Sequence, residues 1–206
     1  MYNNELIMYV NPCYVSFYDM FILMFSRWKL EQEDKIGETL DWYSNQMYNP
    51  ISLKVFVQKK ILVEVEKNLY AVDEMFTADQ FFVSIDKQTS IYLYELLTQF
   101  KERYYANIVL GLYIFFLSRS RVKAYKGDLE NVQFGLKTIC RFLNMKYTEE
   151  NKSVILGGII YLVEQGIISY FENNKKYTFP YELDGVMINC DEPLMNVEQI
   201  YQKFYK

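Results

Sequence analysis

Apolar residues recur along this chain in two periods, and each change of period marks an element boundary. Residues 5–10 alternate and predict a short strand, broken by Asn11-Pro12. Residues 14–30 are apolar on most sides and predict a buried helix, followed by a charged turn at Glu31–Lys35. A second helix fits 36–47, closed by Pro50, and a short third helix fits 51–60. The run LVEVEKNLYAV, 62–72, alternates on either side of Lys67-Asn68, which is a hairpin pattern. FFVSI, 81–85, reads as a strand, and Asp86 begins a helix to about Phe100. A long apolar helix over 103–120 leads into a basic loop, Arg119–Asp128, and then a helix over 130–144. Thr148 caps a helix that runs to about Gln165, where Gly166 ends it. A hairpin follows at 167–171 and 176–180 around Asn173-Asn174. From Pro193, Leu194, Val197, Tyr201 and Phe204 have the spacing of an amphipathic helix.

The order helix, helix, helix, hairpin occurs twice, at 14–72 and at 103–180. The two copies align most closely before each hairpin: Leu53, Phe56, Lys60, Ile61 and Leu62 fall on Ile159, Leu162, Gly166, Ile167 and Ile168. Such self-similarity predicts tandem modules. The expected divisions are 1–80, 81–185 and a C-terminal amphipathic helix, 186–206.

Composition narrows the chemistry. With no histidine, the commonest general base and zinc ligand are missing, and three separated cysteines, Cys13, Cys140 and Cys190, form no ligand cluster or disulfide framework. No Gly-rich phosphate loop is present, and Gly157-Gly158 lies inside a helical pattern, where close packing is the better account. The expectation is a protein that is not an enzyme and uses no cofactor or metal. The start, MYNNELIMYV, has no secretory pattern, and the greasy stretches Phe17–Phe25 and Tyr104–Leu117 fall short of the roughly 20 residues a spanning helix needs. A cytoplasmic location without membrane insertion is therefore expected. Aromatic residues Tyr92, Tyr94, Phe100, Tyr104 and Tyr105 read as core or dimer interface rather than a base-stacking stripe.

Charge is unevenly spread. The net charge is −4, yet residues 101–152 carry ten basic and five acidic side chains. A basic segment in an acidic chain is an electrostatic footprint for phosphate, or else a solvated face.

In that segment LKTICRFLNM is followed by VILGGIIYLVEQGII and SYFENNKKYTF. Leu136, Ile139 and Leu143 share a helix face with the small Cys140 beside them. Ile155, Ile159 and Leu162 form the stripe of the next helix, and Gly166 permits a left-handed exit. This resembles the winged-helix family of bacterial DNA-binding proteins across about a quarter of the chain. The wider pattern also looks like plasmid and phage replication initiators, in which two winged modules occur in tandem. The spacing from Met145 to Ile155 is about five residues longer than the compact motif, and Glu149 and Glu150 fall at the helix start, where they suit the helix dipole better than phosphate.

The resemblance implies a mainly helical α+β fold with short β-hairpins, built as two tandem winged helix-turn-helix modules. It implies binding of double-stranded DNA, with Tyr147, Asn151, Lys152 and Ser153 as base or sugar contacts. Arg119, Arg121, Lys123, Lys126, Lys137, Lys146, Lys175 and Lys176 would contact phosphate. The implied role is in replication, partition or transcription of a plasmid or phage type element, as a homodimer, with another protein of the element as a further partner. A protein-protein or dimerisation scaffold without direct DNA binding is the alternative, and the pI of 5.1 fits it.

Overall fold

Two nearly unbroken apolar stretches organise the chain, and each becomes a buried helix. The computed structural model describes residues 5–10, 15–32, 50–66, 69–72, 81–126, 132–171, 176–178, 186–189 and 204. The described residues are mostly helical with small sheets, an α+β arrangement. Among them, no helix is long and apolar enough to cross a membrane. The chain divides into two compact units, Met1–Leu97 and Thr98–Lys206.

In the first unit, β1 (Glu5–Tyr9) pairs antiparallel with β4 (Phe82–Asp86) in the register Leu6↔Ile85 and Met8↔Val83. These four side chains share one face and are buried, as the period of two requires. Helix α1 (Phe17–Gln32) packs on β1. It starts where Ser16 Oγ accepts from Asp19 N–H at 3.0 Å and donates to the Asp19 carboxylate at 2.6 Å. Residues Met20–Ser26 are buried without interruption, and the Phe25 ring stacks on Tyr94 with centroids 4.5 Å apart. Tyr94 belongs to α3 (Lys87–Thr98), which buries Ser90, Leu93, Leu96 and Leu97. Asp86 caps α3, its Oδ1 accepting from Thr89 N–H at 2.9 Å. Partial burial pushes the Asp86 carboxyl up, but hydrogen bonds from Thr89 and Gln88 outweigh it and hold the group below its ordinary value. Between these elements lie α2 (Pro50–Gln58) and the antiparallel hairpin of β2 (Leu62–Glu66) and β3 (Leu69–Val72). Pro50, read from the pattern as closing a helix, opens this one, where its missing N–H costs nothing. The helix expected at 36–47 lies outside the described residues.

In the second unit, α4 (Arg103–Lys126) is buried from Ile108 to Phe116. It is longer than its apolar stretch: the segment expected as a basic loop continues the helix to Lys126, since Arg, Lys and Ala between 119 and 126 are good helix formers. The helix expected at 130–144 is instead strand β5 (Val132–Gly135) running directly into α5 (Leu136–Phe142). Extended backbone at Gly135 makes the change of direction. Helix α6 (Glu149–Glu164) packs against α4 and α5. Gly158 of α6 packs directly against α4. A Cβ there would lie 2.8 Å from Leu112 Cδ1, 3.2 Å from Ile108 Cγ2 and 3.7 Å from the Phe204 ring. Phe204 is itself buried, with ring centroids 4.8 Å from Tyr105, 6.1 Å from Tyr161 and 6.3 Å from Phe100. Of the aromatic stripe of the sequence, Tyr94, Phe100 and Tyr105 are half-buried against these rings, while Tyr92 and Tyr104 stay exposed at 40% and 47%.

Strands β6 (Ser169–Phe171) and β7 (Lys176–Thr178) form the expected hairpin. It extends to a four-stranded sheet, β5-β8-β7-β6, in which β8 (Val186–Asn189) lies parallel to β5 and antiparallel to β7. Residues 186–189, grouped by the pattern with a C-terminal helix, are thus a strand: Val186, Met187 and Ile188 are a short continuous apolar run, too short to set a helical period. The helix expected from Pro193 lies outside the described residues apart from Phe204.

The aligned positions before the two hairpins share one backbone geometry. Lys60 and Gly166 both have left-handed backbone, φ 55° and 68°. Lys60 N–H donates to Val57 O and Ile61 N–H to Phe56 O, at 3.0 and 2.9 Å; Gly166 N–H donates to Val163 O and Ile167 N–H to Leu162 O, both at 2.9 Å. This is the Schellman exit, with its apolar pair in each case: Phe56 with Ile61, and Leu162 with Ile167, all buried.

Lys60 carries a Cβ where Gly166 has none, so the sign of two substitutions follows. Lys60→Gly should raise unfolding stability by about 0.5–1 kcal/mol, because relief of left-handed strain exceeds the entropy cost of glycine. Gly166→Ala should lower it by about 1 kcal/mol. Gly158→Val should cost about 2–3 kcal/mol by overpacking the α4–α6 crossing. Urea unfolding of the three variants checks all three values; an unchanged midpoint for Gly158→Val would show that the crossing has slack.

Candidate functional site

Helix α5 ends in a third Schellman exit. Asn144 is left-handed at φ 55°; its N–H donates to Arg141 O at 3.2 Å, and Met145 N–H donates to Cys140 O at 2.8 Å. Asn tolerates this conformation better than most residues with a Cβ. The exit throws residues 143–148 into a six-residue turn before α6, longer than a compact helix-turn-helix uses. Thr148 closes it as N-cap, its Oγ1 accepting from Asn151 N–H at 3.3 Å.

The turn does not lie flat on α5. Between them is a concavity of about 410 Å³ lined by Lys137, Cys140, Arg141, Asn144, Met145, Lys146 and Tyr147. Its three charged residues are all basic and all exposed, and none forms an ion pair with a described residue. Lys137 and Arg141 stand one turn apart on α5, so both side chains leave the same helix face. The Cys140 thiol is 1% exposed; burial pushes its pKa up, and the Lys152 ammonium offsets part of that. It is a packing group, not an activated nucleophile.

Of the candidate contacts read from the sequence, Lys137, Lys146 and Tyr147 come together at this concavity. Asn151 lies against the turn, its side-chain Nδ2 donating to Lys146 O at 2.7 Å. Lys152 is 7% exposed and turns inward: its ammonium is 2.8 Å from the Glu149 carboxylate and 4.5 Å from the Tyr147 ring centroid. Ser153 Oγ donates to Glu149 O at 2.9 Å within the helix. Lys152 and Ser153 thus hold the start of α6 rather than project from it. Arg119 sits on α4 with its guanidinium 5.4 Å from the Phe115 ring centroid and 5.7 Å from that of Phe134; its buried Nε has no hydrogen-bond partner among the described residues. Arg121, Lys123 and Lys126 occupy the last turns of α4, Lys176 begins β7, and Lys175 lies outside the described residues.

Arg141 is the charged lining residue that the sequence pattern did not single out. A signal for it exists: it follows Lys137 by four residues on a helix whose other face is Leu136, Ile139 and Cys140. The described residues hold no group of three or more potential metal ligands.

Lys152 makes a specific expectation possible. Lys152→Ala removes both an ion pair with an exposed partner and a cation–π contact, so it should cost about 1 kcal/mol in thermal unfolding. It should also free the Tyr147 ring, read as faster averaging of its ring resonances by NMR. No protein-family model, curated protein or solved structure matches the chain.

Proposed function

We propose that residues 103–178 form a winged helix-turn-helix module that binds duplex DNA through phosphate contacts centred on α5 and the turn after it. The observation that carries this reading is the cluster of Lys137, Arg141 and Lys146, three exposed cations without carboxylate partners among the described residues, around the turn between two packed helices. The order helix, strand, helix, helix, hairpin supports it, as does the burial of Ile139, Cys140, Ile155, Ile159 and Leu162 where the two helices meet. Insertion of β8 between β5 and the hairpin is a departure from the simplest winged module. The matched exits at Lys60 and Gly166 support the further reading of a tandem. The biological setting, a plasmid or phage type element, and a homodimer on a two-fold DNA site rest on the resemblance of the sequence.

Phosphate leads in this arrangement. Glu149 and Glu150 are exposed at the first turn of α6 while Lys152 is folded inward, so base reading by that turn is disfavoured. The same observation favours the second reading, an interaction scaffold that uses the acidic helix start to meet a basic partner.

Fluorescence anisotropy with labelled genomic duplex, at two salt concentrations, separates them. DNA binding should weaken steeply with salt, and reversing Lys137, Arg141 and Lys146 to Glu should lower the log–log slope by about 2–3, near 0.9 for each phosphate no longer neutralised. Absence of binding at low salt by a folded protein overturns the DNA reading.

A further inference from the structure

The turn borders an open concavity as well as presenting charge, and that concavity has features a flat phosphate-binding face does not need. At about 410 Å³ it falls in the size range of small-ligand sites, roughly 300–1,000 Å³. Its charged rim is wholly cationic. Met145 and the buried Cys140 also border it. Its wall is Tyr147, a 48% exposed aromatic ring.

One face of the Tyr147 ring is already engaged. Lys152 holds its ammonium 4.5 Å over the Tyr147 ring centroid, and Lys152 is anchored by Glu149 at 2.8 Å. Tyr147 lines the concavity and Lys152 does not. That cation covers one face only, and at 48% exposure the ring keeps surface open to solvent. An aromatic ring and a cationic rim together suit a planar base carrying phosphate.

We propose that this concavity is a nucleotide-binding pocket, with the base stacked on Tyr147 and the phosphate held by Lys137, Arg141 and Lys146. The same chemistry is offered by a free mononucleotide and by an unpaired nucleotide within a strand. The proposal goes beyond duplex binding, which needs the cations but neither the ring nor the concavity.

The full-length protein is titrated calorimetrically with adenosine monophosphate, with inorganic phosphate and with a short thymidine oligomer. The mononucleotide should bind more tightly than phosphate. Tyr147→Leu should weaken it about tenfold while leaving phosphate binding unchanged, Tyr147→Phe should restore it, and Arg141→Glu should weaken both ligands. An oligomer that binds more tightly than the monomer identifies a strand as the source; equal or weaker binding identifies the free nucleotide. Circular dichroism confirms that each variant is folded. Mononucleotide binding no tighter than phosphate, or unaffected by Tyr147→Leu, overturns the pocket. Loss of the pocket with duplex binding intact leaves the DNA reading standing, and nucleotide binding without duplex binding leaves the pocket standing alone.

Discussion

The second unit depends on how closely α6 approaches α4. Ile108 and Leu112 stand one turn apart on α4 and reach into the space that a side chain at Gly158 would fill. Around that contact α6 buries Val154, Ile155, Leu156, Ile159, Tyr161 and Leu162. A helix so fully buried has no broad solvent face to spend on recognition. Its exposed residues are concentrated at its ends, and the start of the helix is occupied by its own cap and by the Glu149–Lys152 pair. Cationic charge available to a partner is therefore displaced onto α5 and the turn. Tight packing and the position of the candidate site are two results of one constraint.

Helix exits provide the second recurring device. At Lys60, Asn144 and Gly166 the chain leaves a helix through a left-handed residue, with the same two backbone hydrogen bonds each time. Two of these exits feed hairpins, and the third builds the wall of the concavity. The device is local and satisfies carbonyls that would otherwise be orphaned at a helix end. What it produces depends on the residues that follow: alternating apolar residues make a strand, while Met145, Lys146 and Tyr147 make an open turn.

Periodic elements were legible in the sequence wherever a single face was buried. The strands β1 and β4, both hairpins and the cap at Thr148 follow from alternation, turn residues and a side-chain hydroxyl at the right place. Gly166 was legible because only one conformation explains a glycine there, whereas Lys60 in that conformation was hidden by its identity and emerged only from alignment with Gly166. Strand β5 was not legible, since four residues leading straight into a helix offer too short a run to set a period. Strand β8 was missed for a different reason: parallel pairing with β5 is a long-range pairing without a turn to announce it. At the site, the basic character of 101–152 was visible but the fate of each charge was not. Lys152 and Arg119 look like their neighbours in a sequence; aromatic rings and a nearby carboxylate draw them inward.

Strand β8 fills the gap between β5 and β7, so the sheet of the second unit joins residues 132–135 to residues 186–189. Helices α4, α5 and α6 and the β6–β7 hairpin draw on nearer sequence. During synthesis they can associate first, leaving the facing edges of β5 and β7 without their shared strand. Until residues 186–189 leave the ribosome, those edges expose backbone donors and acceptors ready to pair with another chain. The order in which this protein emerges thus sets a window of aggregation risk, and a strand of four residues closes it.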